Sequence, residues 1–345
     1  MKLSHILVTP VALTSLLFVA ACGNDDSGGG GSAASAPPAS SAVESTELES
    51  TLGAVPKPSS GFDVSYVAKT LINEYWQDVK SGAEGAAKEH GVAISVQASK
   101  DESSLTEQLD LGRTVLSKKP DALLLSPQSD SNMQSVIQDA KSQGIPTIVL
   151  NDARTEGTDV YIGPDQEKVG GDAAAYILKK LPEGGEVAQI EGQAGSPNAR
   201  LRIEGFKKGV EGSGGKLKLV ASQPADWDRL KALEATTNIL RANPNVKAFY
   251  ANNDTMALGV VEAVKKSGKT GIVIVGTDGI RQARSSIKDG DLTATVAESP
   301  CTEGKLGVEI ALRLKANQKV PAWVLSPTKT IDAENVEEVG TETCL

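Results

Sequence analysis

The sequence predicts an α/β fold built as two doubly wound lobes, each around a parallel central sheet. Three observations carry the prediction. Short apolar runs rich in Val and Ile recur along the chain and read as buried parallel strands. Amphipathic stretches of helical period separate them, the alternation from which open α/β sheets are built. The 345 residues hold too many such units for one sheet and suit about two domains.

Residues 1–21 read as a processing signal and stand apart from the fold. Lys2 supplies a positive start. The apolar stretch 6–21, interrupted by Pro10, is too short for a comfortable membrane helix of about 20 residues. Val19-Ala20-Ala21-Cys22 then matches a lipobox, in which small residues fit the processing peptidase and Cys22 offers the thiol that is diacylated. Two acyl chains give stable anchoring at a membrane surface. The competing reading is an ordinary secretory cleavage site beside an incidental cysteine. Residues 22–60 are rich in Gly, Ser, Ala and Pro, with a glycine run at 28–31 and the pair Pro37-Pro38. Such a segment cannot build a core and is expected to be a lipid-anchored flexible tether.

The folded part is expected to start near Phe62. Strands are predicted at 64–68, 93–97, 122–125, 147–150, 160–163, 187–191, 217–222, 248–251, 272–275 and 293–297. Helices are predicted at 75–90, 105–117, 132–143, 166–180, 200–210, 229–243, 255–267 and 302–317. Ser103 and Ser104 stand where an N-cap belongs. Gly91 and Gly144 stand where helices end in a left-handed residue, and Pro244 follows a helix end.

Composition narrows the function. The balance is acidic, 44 Asp and Glu against 35 Lys and Arg, which argues against a nucleic-acid partner. Apolar residues make up 39 % and supply a sizeable core. Of three cysteines, Cys22 belongs to the lipobox and leaves Cys301 and Cys344. An even pair in an exported domain reads as a disulfide, with two free buried thiols as the alternative. Catalytic tools are missing. There is no G-x-S-x-G, no H-E-x-x-H, and no G-x-G-x-x-G opening a helix after a strand. Gly268-Lys269-Thr270 mimics the end of a P-loop, but Ala263 stands where its first glycine belongs. His90, the one histidine left after residues 1–21, closes a predicted helix, where it favours the helix dipole. Asp152 with Glu298 remains a conceivable glycosidase acid pair. No cofactor and no metal is expected.

In open parallel sheets, ligands bind beyond the carboxyl ends of the strands. Those positions hold Lys69, Asn73, Tyr75 and Trp76 after the first strand, and Asn151-Asp152 after the fourth. Arg200, Asp226-Trp227-Asp228, Asn252-Asn253-Asp254, Thr277-Asp278 and Glu298 follow later strands. A hydroxyl-rich ligand needs donors and acceptors together, and this set provides both. Aromatic faces cover its C–H patches. Each residue also has a plainer role open to it. Asp254 reads as a helix cap, Asp278 before Gly279 fits a simple turn, Trp76 fits a core, and Arg200 fits a surface ion pair.

Four stretches carry a family likeness: Ser222-Gln223-Pro224-Ala225-Asp226-Trp227-Asp228-Arg229, Asn253-Asp254-Thr255-Met256-Ala257-Leu258-Gly259, Val275-Gly276-Thr277-Asp278-Gly279 and Ala199-Arg200-Leu201-Arg202-Ile203-Glu204-Gly205-Phe206. Through them the chain resembles, over residues 62–339, the ribose-type periplasmic sugar-binding proteins that serve ABC importers. The resemblance implies the type I periplasmic binding protein fold, in which a three-strand hinge joins the lobes. The hinge crossings would fall near 163–165, 298–300 and 326–328. The N-terminal lobe would comprise 61–164 plus 299–327, and the C-terminal lobe 165–298 plus 328–345. The implied ligand contacts are Lys69, Asn73, Tyr75, Trp76, Asn151, Asp152, Arg200, Trp227, Asn253, Asp278 and Glu298. Ribose binders of this type carry Ser at the Lys69 position, Asp-Arg at Asn151-Asp152, an aromatic at Thr277 and Gln at Glu298. These departures redistribute charge and remove one stacking plate, so a linear alditol of four or five carbons, such as threitol, erythritol or xylitol, is expected in place of ribose.

The expected protein is therefore a monomeric binding lipoprotein on the extracytoplasmic side of the cell membrane. Its partners would be a small sugar or polyol and a permease with its ATPase. Presentation of the same ligand to a sensor or chemoreceptor is the alternative. A glycoside-acting enzyme is the remote one. A sugar-responsive repressor would need a basic helix-turn-helix where the lipobox and tether stand.

Overall fold

The computed structural model describes residues 42–58, 60–152 and 155–339. The signal segment 1–21, Cys22 and Cys344 lie outside the described residues. The elements begin with β1 (Ala42–Glu44), α1 (Leu48–Leu52), β2 (Asp63–Thr70), α2 (Glu74–His90), β3 (Ala93–Ser99) and α3 (Leu105–Leu116). Next come β4 (Ala122–Leu125), α4 (Gln134–Ser142), β5 (Thr147–Leu150), β6 (Val160–Gly163), α5 (Gln166–Lys180), β7 (Gly185–Glu191) and α6 (Pro197–Glu211). They continue as β8 (Leu217–Pro224), α7 (Arg229–Ala242), β9 (Val246–Ala251), α8 (Asp254–Ser267), β10 (Val273–Asp278), α9 (Arg281–Lys288) and β11 (Ala294–Ala297). The last are α10 (Pro300–Lys315), β12 (Trp323–Leu325), β13 (Lys329–Asp332) and α11 (Val336–Val339).

Two sheets result. The first has the order β1-β12-β6-β5-β4-β2-β3, with every pairing parallel. The second has the order β13-β11-β10-β9-β7-β8 and is parallel except at its edge, where β13 runs antiparallel to β11. Central strands such as β4 and β5 are buried at every position, because helices cover both faces of a parallel sheet. The chain passes between the sheets three times, after β6, after β11 and after β12.

Helix starts follow local chemistry. Asn73 caps α2 by accepting from the Tyr75 N–H, Asp165 caps α5, and Asp228 caps α7. Gly91 closes α2 in the left-handed conformation, φ 68°. Ser104 occupies the N-cap position of α3 without capping it; its hydroxyl donates to Asp101 instead.

The helices beside the cleft pack closely because glycines face backbone. A Cβ on Gly304 of α10 would lie 1.9 Å from the Val79 carbonyl oxygen of α2. One on Gly205 of α6 would lie 1.8 Å from the Glu167 carbonyl oxygen of α5. These contacts set where α2 and α6 present their cleft residues.

Part of the segment expected to be a tether is folded. Residues 42–44 form β1, pairing with β12, and Leu48 of α1 is 2 % exposed in the core. Buried Arg313 donates to the Leu52 and Gly53 carbonyls and holds this segment down. A three-residue strand and a five-residue helix are too brief for periodicity to register. Helix α9 escaped for a related reason: its apolar inward residues are only Ala283 and Ile287.

Candidate functional site

The carboxyl ends of the two sheets enclose a polar cavity lined by Lys69, Asn73, Tyr75, Glu102, Asn151, Asn198, Arg202, Trp227, Asn253 and Asp278. From the first sheet, Lys69 is the penultimate residue of β2 and its ammonium lies 2.8 Å from Asp152 Oδ1, both side chains buried. Asn73 serves twice: its Oδ1 caps α2 and its Nδ2 donates to Glu102 Oε1 at 3.0 Å. Asn151 follows β5 with φ 65°. Its Nδ2 donates to Glu298 Oε2 at 2.6 Å and to the Tyr75 hydroxyl, while its Oδ1 accepts from Asn198 Nδ2 at 2.9 Å. Asn151 thereby ties the first sheet to α6 and to the crossing after β11.

From the second sheet, Arg202 is the hub. It is 3 % exposed; its Nε donates to Gln166 Oε1 at 2.7 Å, its Nη1 to the Asn252 carbonyl at 2.6 Å, and its Nη2 to Glu298 Oε1 at 2.7 Å. Asp278 Oδ1 stands 3.6 Å from Nη1. Asn253 accepts from the Met256 N–H and caps α8. Trp227 packs over Gly192, where a Cβ would fall 2.1 Å from the indole. Backbone strain gathers here: Asp226, Trp227 and Asp278 have φ of 49°, 64° and 118°, the kind of cost that persists at ligand sites when surrounding packing enforces it.

Burial dominates the electrostatics. It pushes the Asp152 carboxyl up to about 6, against the pull of Lys69. It pushes Asp254 up to about 7, against hydrogen bonds from Thr295 and from the Ile280 and Gly279 N–H groups. Asp278 is raised well above the carboxylate range by burial and by its neighbours Asp254 and Glu298, with Arg202 opposing. Glu303 is raised to about 8 by burial and by the charge of Glu298, although Tyr75, Ser326 and Asn151 all bond to it. Burial alone would lower Arg202, but Glu298 and Asp278 outweigh it and keep the guanidinium charged. Around the cavity the Arg202 guanidinium stays charged beside acids that burial pushes toward their neutral forms, an arrangement of donors and acceptors suited to hydroxyl groups.

Of the sequence-predicted contacts, Lys69, Asn73, Tyr75, Asn151, Trp227, Asn253 and Asp278 line the cavity together. Trp76, Asp152 and Glu298 stand behind them, at 3 %, 0 % and 1 % exposure. Arg200 does not join them. It is 36 % exposed and pairs with Glu204 at 3.8 Å, so the surface ion pair is its role. Two residues along a helix turn the side chain by about 200°, so Arg200 and Arg202 cannot share a face. The α6 start at Pro197, with Ser196 as cap, fixes which of them points inward. Asp254 likewise does not cap α8; that falls to Asn253, and Asp254 Oδ2 instead accepts from the Gly279 and Ile280 N–H groups at 2.7 and 3.0 Å. Sequence reasoning missed Glu102, Asn198, Arg202 and Glu303. Arg202 and Asn198 had a signal, since they share the buried face of α6 with Phe206. Glu303, inside α10, had none.

The lobes also touch beside the cavity. Arg281 Nη1 of α9 lies 3.0 Å from Asp78 Oδ1 of α2, and Gln282 Nε2 donates to Glu74 Oε1 at 2.9 Å. On the opposite flank the Asp130 N–H donates to the Gly195 carbonyl at 3.3 Å.

Comparison with known proteins agrees with this geometry. Residues 64–319 match the family model for the periplasmic binding protein domain. The D-allose-binding periplasmic protein of Escherichia coli is 40 % identical over 272 residues, covering 75 % of this chain and 86 % of that protein. A solute-binding protein of an ABC transporter from Actinobacillus succinogenes, solved with bound D-allose, superposes with TM-score 0.76 at 31 % identity, covering 80 % of this chain and 99 % of that one. Another from Mycobacterium smegmatis, solved with bound glycerol, gives TM-score 0.77 at 25 % identity, covering 82 % and 99 %. The neighbours share the type I fold, and they bind and carry solutes without transforming them. With its two sheets, three crossings and polar cleft between strand ends, the chain belongs to the periplasmic binding protein family, and it is not an enzyme.

Proposed function

We propose that this protein is a lipid-anchored, extracytoplasmic binding protein that captures a small sugar or sugar alcohol between its lobes and delivers it to an ABC importer. One observation carries the reading: a polar cavity lined by charged and amide groups from both sides of the cleft beside a single indole plate, Trp227. Such a lining suits hydroxyls on every side more than an apolar ligand.

Within that class the ligand is a four- or five-carbon alditol such as threitol, erythritol or xylitol. Thr277 supports this, because its hydroxyl bonds to the Tyr250 hydroxyl at 3.0 Å and offers no aromatic face. The relative with bound glycerol supports it as well. A cyclic aldose is the second reading, favoured by the 40 % identity to a D-allose-binding protein. A thermal-shift panel of alditols and aldoses separates them, since a ligand that binds only the folded state raises Tm. Stabilisation by aldoses alone would refute the alditol reading, and a flat response to both classes would refute the sugar-binding reading.

Anchoring through Cys22 and a Cys301–Cys344 disulfide complete the proposal. Cys301 lies in the first turn of α10 and is 7 % exposed, which supports a bond tying the C-terminus to the body. Mass spectrometry of the exported protein, for the diacyl group and for the cross-linked peptide, tests both.

A further inference from the structure

Glu303 lies behind the cavity wall, in the first turn of α10 and 0 % exposed. Its carboxyl meets two residues that line the cavity. The Tyr75 hydroxyl of α2 lies 2.7 Å from Oε2, and Asn151 Nδ2 lies 3.4 Å from Oε1. The Ser326 hydroxyl, beside the crossing after β12, donates to Oε1 at 2.7 Å. All three partners are neutral. The charge that acts on Glu303 most strongly has its own sign: Glu298, which accepts from the same Asn151 Nδ2 at 2.6 Å and gives its other oxygen to Arg202. The two acids fix the Asn151 side chain. A flipped amide would set its carbonyl oxygen against theirs, so Oδ1 is left to accept from Asn198 Nδ2.

We propose that Glu303 is a positioning residue of the binding site: from behind the wall it holds the Asn151 amide and the Tyr75 side chain in the orientation that a ligand meets. This deepens the sugar-binding reading above, on which it rests, and holds for aldose and alditol alike. Glu303 does this best as a neutral acid. A second negative charge beside Glu298, facing only neutral donors in the interior, is unfavourable, and burial with Glu298 raises Glu303 to about 8. Arg202 of α6, the cation facing this cluster, is bound to Glu298 and stays charged. The tyrosines that feel Glu303, Tyr75 of α2, Tyr66 of β2 and Tyr161 of β6, are raised by burial and keep their protons. A bound ligand shuts water out of the cavity and makes the ionised form of Glu303 costlier still. Affinity should therefore fall as pH rises and Glu303 loses its proton. Asp152, Asp254 and Asp278 are raised around the same cleft, so the effect of Glu303 is read as a difference between wild type and variant.

The test is calorimetric titration of the full-length protein with ribose, allose, erythritol and xylitol, following the tightest binder from pH 6 to 9. Buffers of different ionisation heat count the protons taken up on binding. Glu303→Gln should match the wild type at pH 6. From there to pH 9 the wild-type Kd should rise at least about threefold more than that of Glu303→Gln. Proton uptake near pH 8 should be present in the wild type and reduced in Glu303→Gln. Glu303→Leu, with no group for Asn151 or Tyr75, should weaken binding about tenfold at pH 6. Thermal melts follow folding, and if Glu303→Leu does not fold, the comparison of wild type with Glu303→Gln decides alone. Identical pH profiles and proton counts in those two, or wild-type affinity in Glu303→Leu, overturn the role of Glu303 while the sugar-binding reading stands. Wild-type protein that binds none of the four compounds overturns the sugar-binding reading and the positioning role with it.

Discussion

Replacing Arg202 with Met should damage this protein far more than replacing Arg200 with Met, although the two arginines stand two residues apart. Arg202 is 3 % exposed and satisfies Gln166, the Asn252 carbonyl and Glu298 while facing Asp278 at 3.6 Å. Methionine fills the space of the stem but leaves a buried carboxylate at Glu298 without its counter-charge. Removing one partner of a buried ion pair costs about 3–5 kcal/mol. The lower end applies here, because Asp278 already holds its proton well above the usual range and can stay neutral. A loss of about 3 kcal/mol corresponds to roughly 150-fold in an equilibrium constant. Arg200 makes one exposed pair four residues along its helix, at 3.8 Å, and such pairs contribute about 0.5 kcal/mol or less. Urea unfolding of both variants gives the stability difference, and calorimetric titration with the best ligand of the panel gives the affinity difference. Equal losses for the two variants, or a larger loss for Arg200→Met, would refute the assignment of Arg202 as the hub.

Other substitutions test other parts of the architecture. Glu303 is raised from 4.5 to about 8, so the folded state keeps a proton that the unfolded chain releases. Its contribution to stability is full below about pH 4.5 and is lost as pH rises toward 8, at up to about 1.4 kcal/mol per pH unit. Glu303→Gln should flatten the fall in stability across that window, as followed by urea midpoints from pH 5 to 8; an unaltered slope would show that Glu303 is ionised throughout. Arg281→Ala removes the contacts from α9 to Asp78 and Glu74 across the lobes. It should raise the ligand off-rate about fivefold, for a loss of about 1 kcal/mol, and leave the ranking of ligands unchanged in stopped-flow measurements. Gly304→Ala places a methyl 1.9 Å from the Val79 carbonyl and should lower Tm by several degrees, a cost of about 1–3 kcal/mol from forcing α2 and α10 apart. A wild-type Tm would mean that the two helices separate freely.

The sequence by itself determined the two parallel sheets, because a buried parallel strand must be apolar on both faces and a covering helix on one. β4, with Ala122-Leu123-Leu124-Leu125, and β5, with Thr147-Ile148-Val149-Leu150, carry that pattern without ambiguity. It also determined where to look, since the ends of such strands are the places left free for polar groups. Seven of the eleven expected contacts line one cavity for that reason. What only the tertiary structure decided is which way the remaining side chains turn and what stands in front of them. The phase of α6 sends Arg202 inward and Arg200 to the surface, and no composition distinguishes two arginines in one motif. Glu303 joins Tyr75, Asn151 and Ser326 from distant parts of the chain, so its burial has no local signature. Lys69 pairs in the interior with Asp152, 83 positions away in sequence. Strand and helix patterns are local and can be read from neighbours along the chain. Occlusion, ion pairing and pKa shifts depend on distances across the fold, and those exist only once the two sheets are brought together.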